Sequence, residues 1–344
     1  MEPIEALERV AYLQDRGLLP SQKTAAFLRA AEVLRDLPAG ELDRRLADRT
    51  LTDLPGIGKS TAEVITQAAS GVVPTRIATL EQSTQIPLGA GAAIRAAIKG
   101  DLHSHSTWSD GGASISAMAR TAMDLGHEYL VVTDHSPRLT IAHGLNRERL
   151  LSQLDEIAVL NDQLAPFRIL TGIEVDILVD GALDQDVDLL ERLDVVVASV
   201  HSKLKMETRE MTERMVLAVA SPHVDILGHC TGRKVKGFGA DLTEIRPQAT
   251  FDAEVVFAAC ARFDTAVEIN CRPERQDPPA ELLDLALDWD CKISIDTDAH
   301  APGQLEFQNF GCDKAAAHGI EPAQIINTWP AEELLAWTRS HPTA

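Results

Sequence analysis

The N-terminal part of the chain has hydrophobic residues at helical spacing. Apolar side chains occur at positions 7, 10 and 11, and again at 26, 27, 30, 33 and 34. This spacing places them on one face of an amphipathic helix. Pro20, Pro38 and Pro55 interrupt the pattern. The first seventy residues are therefore predicted to form several short helices.

The helical pattern weakens between Gly71 and Gly100. Pro74 and Pro87 lie in this segment, together with a run of mostly small residues from Leu88 to Ala93. Such composition is typical of a connection between domains. We predict a helical domain at 1–72, a linker at 73–99 and a second domain at 100–344.

The second part of the chain alternates short apolar runs with longer amphipathic stretches. This alternation indicates βαβ units, and therefore an α/β domain with a parallel sheet. The predicted strands are Tyr129–Thr133, Arg168–Val175, Val195–Val200, Val224–Leu227, Ala266–Ile269 and Lys292–Ile295. The helices predicted between them include Arg147–Leu160, Ala249–Ala261 and Pro279–Trp289.

Polar residues follow nearly every predicted strand. In parallel α/β barrels the active site is built at the C-terminal ends of the strands, so this distribution favours a barrel. His103 and His105 are two residues apart, which puts both rings on the same face of an extended segment. The other candidate metal ligands are Asp110, His135, Glu174, His201, His229, Asp298 and His300. Mixed imidazole and carboxylate ligands suit manganese, zinc or iron better than calcium.

A single histidine at a strand end is more often a hydrogen-bonded structural residue than a metal ligand. Here six of the eleven histidines lie at predicted strand ends or in the His103–His105 pair, close to carboxylates. Chance does not explain so regular a distribution. The remaining histidines are His127, His143, His223, His318 and His341. They are assigned structural roles, apart from His143, whose role stays open.

The formal net charge of −20 at first argues against nucleic acid binding, which relies on lysine and arginine. The first hundred residues, however, hold 12 acidic and 12 basic side chains, so the excess of acid lies in the second domain. Bound divalent cations would offset part of it.

Membrane insertion and secretion are not indicated. The sequence has no apolar run of about twenty residues, and its first residues do not resemble a signal peptide. The five cysteines form no CxxC pair and are expected to be buried free thiols. We expect a cytoplasmic protein without a membrane partner, and the sequence identifies no protein partner.

The motifs of the second domain resemble those of the PHP (polymerase and histidinol phosphatase) family. They are DLHSHSTWSDG, VTDHS, GIEVDI, SVHS, DILGHCTGR, EINCRPER and DTDAH, and they follow the order seen in that family. The sequences of these motifs are similar to those in the C-terminal PHP domain of bacterial family X DNA polymerases. The resemblance implies a distorted (β/α)7 barrel that hydrolyses phosphate esters with two or three divalent metal ions. Manganese is expected, with zinc or iron as alternatives.

The resemblance also implies roles for individual residues. The first metal would be held by His103, His105, Glu174 and Asp298. Glu174 would bridge to a second metal held with His201 and His229, and a third would be held by Asp110, His135 and His300. Arg233 and Arg275 match basic positions of the family motifs and would grip substrate phosphate. The alternative role for both arginines is a salt bridge at the surface or between loops.

The segment from Leu54 to Ala62 resembles a helix-hairpin-helix motif. Gly56, Ile57, Gly58 and Lys59 form its centre, where backbone N–H groups at a helix start would bind a DNA phosphate without reading sequence. A generic turn between helices is the alternative. The surrounding region resembles the small N-terminal domain of family X polymerases.

Two further positions bear on that resemblance. Lys23 matches a lysine that contacts a DNA 5′ phosphate. Val64 stands where lyase members of the family carry their Schiff-base lysine, so lyase activity is not expected. The segment between the two domains is also too short for a polymerase domain.

Three functional hypotheses follow from the sequence. The first is a metal-dependent phosphoesterase that processes DNA ends or gaps, as a 3′–5′ exonuclease or 3′-phosphatase in DNA repair. The second is a small-molecule phosphatase, such as one acting on histidinol phosphate. The third is a non-catalytic DNA-binding module, although all nine ligand positions hold competent residues.

Overall fold

The computed structural model describes residues 1–342, which form two compact units. The first contains residues 1–86 and 301–304, and the second contains residues 87–300 and 305–342. None of the helices in this described part of the chain combines the length and apolar character needed to cross a membrane.

The first unit is helical, as the hydrophobic pattern predicts. Its helices are α1 (Pro3–Arg16), α2 (Ser21–Arg35), α3 (Glu41–Asp48), α4 (Lys59–Ala69) and α5 (Thr75–Ser83). Leu7, Val10, Phe27 and Ile65 are buried in a common core. Val64 is buried in the same core, so the position of the lyase lysine holds an apolar packing residue.

The segment predicted as a linker, 73–99, instead contains two packed helices. Helix α5 buries Ile77 and Leu80 in the core of the first unit, while α6 (Ala92–Ala97) belongs to the second. The small residues permit close packing rather than flexibility. A Cβ atom on Gly91 would lie 2.3 Å from the carbonyl carbon of Cys312, so only glycine fits.

The second unit contains a seven-stranded parallel sheet. Its strands, in spatial order, are β1 (Gly100–Asp101), β2 (Tyr129–Val132), β3 (Arg168–Asp176), β4 (Val195–Ser199), β5 (Ile226–Leu227), β8 (Ala266–Asn270) and β9 (Ile293–Asp296). Every pairing between neighbours is parallel. Beyond the strand ends, Ser104 and Ala299 form a further parallel bridge. The sheet is thus a nearly closed barrel, which confirms the predicted (β/α)7 architecture.

Helices surround the barrel, and one hairpin interrupts it. The helices are α7 (Ile115–Asp124), α8 (Arg147–Leu164), α9 (Val187–Leu190), α10 (Thr208–Val219), α11 (Ala253–Phe263), α12 (Ala280–Asp288), α13 (Gln308–Ala317) and α14 (Ala331–Thr338). The antiparallel hairpin of β6 (Lys234–Lys236) and β7 (Thr243–Arg246) lies between β5 and α11. The sequence analysis did not identify this hairpin, because its strands are short and mostly polar.

The first and last strands are joined through buried polar side chains. Asp296 of β9 accepts a hydrogen bond from the backbone N–H of Leu102 at 3.0 Å. Asp101 of β1 in turn accepts from the N–H of Thr297 at 3.1 Å. Asn327 is fully buried and bonds to both strands: its amide donates to the carbonyl of β1 residue Gly100 and to Asp296. Side chains therefore complete the closure where backbone pairing is sparse.

We expect Asn327→Ala to lower the free energy of unfolding by about 3 kcal/mol, because buried backbone groups of β1 and β9 lose their partners. Denaturant unfolding followed by circular dichroism measures this. The exposed Gln248→Ala serves as control and should change stability by less than about 0.5 kcal/mol. Equal stability of the two variants would show that Asn327 does not hold the barrel closed.

Candidate metal centre

The nine predicted ligands all lie at one end of the barrel. Parallel strands bring their C-terminal ends to the same edge, so residues distant in sequence meet there. His103 and His105 follow β1, Asp110 lies in the next loop, His135 follows β2, Glu174 lies in β3, His201 follows β4, His229 follows β5, and Asp298 and His300 follow β9. Six of them are buried, whereas Asp110, His201 and His300 retain partial exposure at the opening.

The carboxylate of Glu174 lies at the centre of this cluster. Its Oε1 is 2.8 Å from His229 Nε2 and 3.1 Å from His201 Nε2. Its Oε2 is 2.9 Å from His135 Nδ1 and 3.4 Å from His103 Nε2. His105 Nε2 also lies 3.6 Å from Oε2. Each oxygen thus faces a different set of histidines, as a bridging carboxylate would.

The other two carboxylates connect the remaining histidines. Asp298 Oδ1 is 3.4 Å from His105 Nε2. Asp110 Oδ1 is 3.5 Å from His135 Nε2 and 3.4 Å from His300 Nε2.

The ligand atoms form three groups whose members lie within 4.8 Å of one another. The groups are His103, His105 and Asp298; His135, Glu174 and His201; and His105, Asp110, His135 and His300. The grouping agrees only in part with the sets implied by sequence. Glu174 is grouped with His201 but not with His103, His105 and Asp298. His229 belongs to none of the three groups, and His135 accompanies Glu174 and His201 instead. The grouping also places His105 beside the residues assigned to the third metal.

Several buried ring nitrogens in the cluster have no hydrogen-bond partner. They are His103 Nε2, both nitrogens of His105, His135 Nδ1, both nitrogens of His201 and His229 Nδ1. A buried polar atom without a partner costs free energy, and such atoms are uncommon in folded proteins. Most of these nitrogens face carboxylate oxygens without hydrogen-bond geometry, as ligands of a common cation would. The donor set therefore fits divalent metal ions.

The protonation states of two histidines suit metal binding, which requires an imidazole lone pair. Burial, with the nearby His300 and His135, lowers the pKa of His105 to about 3. Burial and the positive charge of Arg275 lower the pKa of His229 to about 4. Both rings are therefore neutral at pH 7.

The central carboxylates remain ionised. Burial alone would raise the pKa of Glu174, but the surrounding imidazoles, His201 first, hold it well below its ordinary value. Burial acts the same way on Asp298, and Arg275 reverses it to hold that pKa well below its ordinary value. Two buried negative charges thus face the neutral rings of His105 and His229.

A second layer of residues, which the sequence analysis missed, orients the ligands. Glu268 Oε1 is 2.5 Å from His103 Nδ1, and its Oε2 accepts from the backbone N–H of His229. Asp176 accepts from the backbone N–H of His201 at 3.1 Å. The contact with Glu268 would orient the His103 ring so that its Nε2 is left for a metal, while the other two contacts hold the backbone at His229 and His201. Glu268 and Asp176 lie at strand ends inside the same sequence motifs as the ligands, and this position could have identified them as residues that support the site.

A cavity of about 260 Å³ opens onto this cluster and is lined by both ligands and cations. The basic residues in its wall are Lys234, Arg246, Arg272 and Arg275. Arg275 Nε lies 3.0 Å from Asp298 Oδ2, so this predicted phosphate-binding residue reaches the ligand cluster. Arg272 donates to the carbonyl oxygen of Asp298 at 2.7 Å. Sequence reasoning identified only Arg275 of these four.

Arg233 does not line this cavity, contrary to its predicted role as a phosphate-gripping residue. Its guanidinium donates to the backbone carbonyls of Arg275 and Gln276. It lines a separate, more apolar cavity together with Phe238 and Phe310. Arg233 therefore supports the loop that carries Arg275, a role closer to the alternative of an inter-loop contact.

The predicted DNA-binding hairpin is exposed in the first unit. Gly56 has a φ of +91°, a conformation that favours glycine, and Ile57 is buried beneath it. Gly58 caps helix α4, and Lys59 begins that helix with an exposed side chain. Lys23 is exposed in the first turn of α2. DNA binding by these residues stays a prediction.

His143, whose role the sequence left open, lies outside the ligand cluster. It is exposed and ends a short 3₁₀ helix at Thr140–Ala142, with a φ of +56°.

Comparison with known proteins supports the PHP resemblance. Residues 101–249 match the model of the PHP domain. The DNA polymerase/3′-5′ exonuclease PolX of Bacillus subtilis (strain 168) is 38% identical over 242 residues, which cover 70% of this chain and 41% of that protein. The chain therefore spans about two fifths of the length of this relative.

Two further proteins are more distant. A probable phosphatase of Syntrophotalea carbinolica is 28% identical over 242 residues, covering 66% of this chain and 90% of that protein. The crystal structure of histidinol phosphate phosphatase from Lactococcus lactis, complexed with zinc, L-histidinol and phosphate, is 17% identical, with a TM-score of 0.43. That match covers 65% of this chain and 94% of the solved one.

We expect Glu268→Gln to lower metal affinity by about 10- to 100-fold, because His103 loses the carboxylate that orients its ring. Equilibrium dialysis against manganese, with metal analysis of the protein, measures this. The exposed Glu254→Gln removes the same charge from a residue outside the cavity wall and the ligand groups, and should bind metal as the unchanged protein does. Unaltered affinity in Glu268→Gln would count against His103 as a ligand.

Proposed function

Because the chain contains a PHP domain, we propose that it is a metal-dependent phosphoesterase acting on DNA ends, as a 3′–5′ exonuclease, a 3′-phosphatase or both. One observation carries the proposal. Nine imidazole and carboxylate side chains converge at the barrel opening, and several of their buried ring nitrogens have no hydrogen-bond partner. Two or three divalent ions, manganese foremost and zinc or iron as alternatives, would satisfy them.

Bound divalent ions would lower the pKa of a water molecule and stabilise negative charge on phosphate oxygens. The protein's own residues supply the rest. Arg275 and Arg272 line the cavity and are positioned to hold a phosphate group through charge-assisted hydrogen bonds. Glu268 and Asp176 fix the orientation of the histidines, so that the site is formed before substrate arrives.

Two observations favour DNA as the substrate. The relative with 38% identity is named as a DNA polymerase and 3′-5′ exonuclease. In addition, a groove of about 650 Å³ lies beside the Gly56–Lys59 hairpin and is lined by Arg45, Arg49 and Lys59. Arg49 and Lys59 are exposed there and suit the sugar-phosphate backbone, whereas Arg45 is half-buried and pairs with Glu41. We infer that the first unit binds DNA and the barrel hydrolyses the ester.

A small-molecule phosphatase is the second candidate. It is favoured by the match to a probable phosphatase, of which this chain covers 90%. The acidic excess of the second domain also agrees with a small substrate. The third hypothesis, a non-catalytic DNA-binding module, is disfavoured because every one of the nine ligand positions retains a competent residue.

The proposal is tested by assaying the metal-free protein with added manganese, zinc or iron on three substrates. These are a 3′-labelled DNA duplex, histidinol phosphate and a chromogenic monoester. We expect manganese-dependent shortening or dephosphorylation of the labelled end. Hydrolysis of the small esters with intact DNA would instead establish the second candidate. DNA binding without turnover in any metal would establish the third.

In the same assay, we expect His105→Ala to reduce turnover by at least about 1000-fold, because two of the three ligand groups contain this histidine. DNA binding, measured by fluorescence anisotropy, should change less than about twofold, since the hairpin residues are untouched. His223→Ala is the control, because His223 lies outside all three groups. If His105→Ala lost DNA binding as well as turnover, the assignment of DNA binding to the first unit and hydrolysis to the second would be contradicted.

We expect Gly56→Val to weaken DNA binding about tenfold while sparing the chromogenic ester. Valine is strained at a φ of +91°, and its Cβ would lie 3.1 Å from Val33 Cγ2, so the hairpin must deform. Gly71→Val places the same residue type at a φ of +77°, in open space outside the hairpin. If both variants bind DNA equally well, the hairpin is not the DNA contact.

A further inference from the structure

The β6–β7 hairpin places two cations opposite each other at the cavity. Lys234 of β6 pairs in register with Arg246 of β7, and both side chains line the cavity that contains Asp298 and His300. Like charges directly opposite on neighbouring strands are destabilising. A hairpin that keeps such a pair at the mouth of a candidate active site calls for a compensating anion.

The hairpin is held firmly against the loop that carries Arg275. Val235 is buried, and its backbone N–H donates to the carbonyl of Glu274 at 2.8 Å. Arg233 donates to the carbonyl of Arg275 at 3.1 Å, and Arg246 donates to the carbonyl of Gly232 at 2.8 Å. The guanidinium of Arg246 is therefore held by the fold, which lowers the entropy it loses on binding a ligand, whereas the side chain of Lys234 is exposed.

The four cations of the cavity fall into two pairs with different surroundings. Arg275 and Arg272 form ion pairs with Asp298 and Glu274 at 3.0 and 2.7 Å. By contrast, no carboxylate of residues 1–342 lies within 4.0 Å of the charged groups of Lys234 or Arg246. Burial and the positive charges of Arg275 and Arg246 lower the pKa of Lys234, as expected for cations that crowd one another. The two hairpin charges thus have no direct carboxylate partner, and Glu274 and Asp277 attract Lys234 and Arg246 only from a longer distance.

We propose that Lys234 and Arg246 form a subsite for a second phosphate group of the substrate, the phosphodiester adjacent to the one being hydrolysed. This inference rests on the proposed function. Arg275 and Arg272 lie with the ligands and serve the scissile phosphate, whereas the hairpin pair extends the same cavity with unpaired positive charge. The ligand class is an oligonucleotide with at least two phosphodiesters. A compact monoester offers no group for the second subsite.

The test compares kcat/KM for a trinucleotide with two phosphodiesters and a dinucleotide with one, both lacking terminal phosphates. The metal-loaded protein should prefer the trinucleotide by about tenfold, since two charge-assisted hydrogen bonds at a partly exposed site contribute at least that much. In the double variant Lys234→Gln/Arg246→Gln this ratio should fall to about 1. Lys236→Gln removes a charge from the same hairpin without touching the cavity and should keep the ratio.

A conservative variant separates charge from folding. Lys234→Arg/Arg246→Lys keeps both charges and should retain most of the preference, whereas mere damage to the hairpin would abolish it in both double variants. The inference is overturned if the unmodified protein shows no preference for the trinucleotide, or if the glutamine variant keeps it. Hydrolysis of a chromogenic monoester with neither oligonucleotide cleaved would overturn the exonuclease form of the proposed function, and the second phosphate subsite with it. Cleavage of both oligonucleotides at a ratio unaffected by the glutamine variant would overturn only the second phosphate subsite.

Discussion

Closure of the barrel between β1 and β9 is the constraint on which the candidate centre depends. His103 and His105 follow the first strand, whereas Asp298 and His300 follow the last, so the two halves of the ligand set meet only where the strands adjoin. Strand β1 has just two residues, and backbone pairing alone holds it weakly. Buried polar side chains supply the remaining connections at that seam. Structural and functional polar residues are therefore adjacent along the same short segments.

A strongly acidic chain can still present cations at one site. The carboxylates at the centre of the ligand cluster lie against imidazoles, and Arg275 compensates Asp298 directly. Four cations line the cavity together with Asp110, Glu274 and Asp298, so positive groups are available there within a chain whose net charge is −20. Total charge describes long-range repulsion, while binding at short range depends on which groups face the ligand. The acidic composition alone was therefore a weak argument against nucleic acid.

The barrel was predictable because its strands are buried on both faces. Continuous apolar runs such as Tyr129–Val132 mark such strands, and polar residues directly after them mark the functional edge. The segment predicted as a linker contains helices for a physical reason: the small residues near Gly91 permit close packing against α13, and composition does not distinguish close packing from a flexible connection. Three other features could not be predicted, because each depends on tertiary contacts between distant segments. They are strand β1, the β6–β7 hairpin and the contacts of the Arg233 side chain.

The β6–β7 hairpin suggests how the ligand cluster and the cations around it divide their roles. Ligand residues at strand ends define where an ester bond could be broken, but they say little about what surrounds that bond. Lys234 and Arg246 are carried on an insertion between barrel elements and belong neither to the seven-stranded sheet nor to the ligand groups. A conserved type of chemistry with a variable rim is how one fold serves different phosphate esters. Substrate choice in this chain is therefore better sought in the charge and spacing of the hairpin than in the metal ligands themselves.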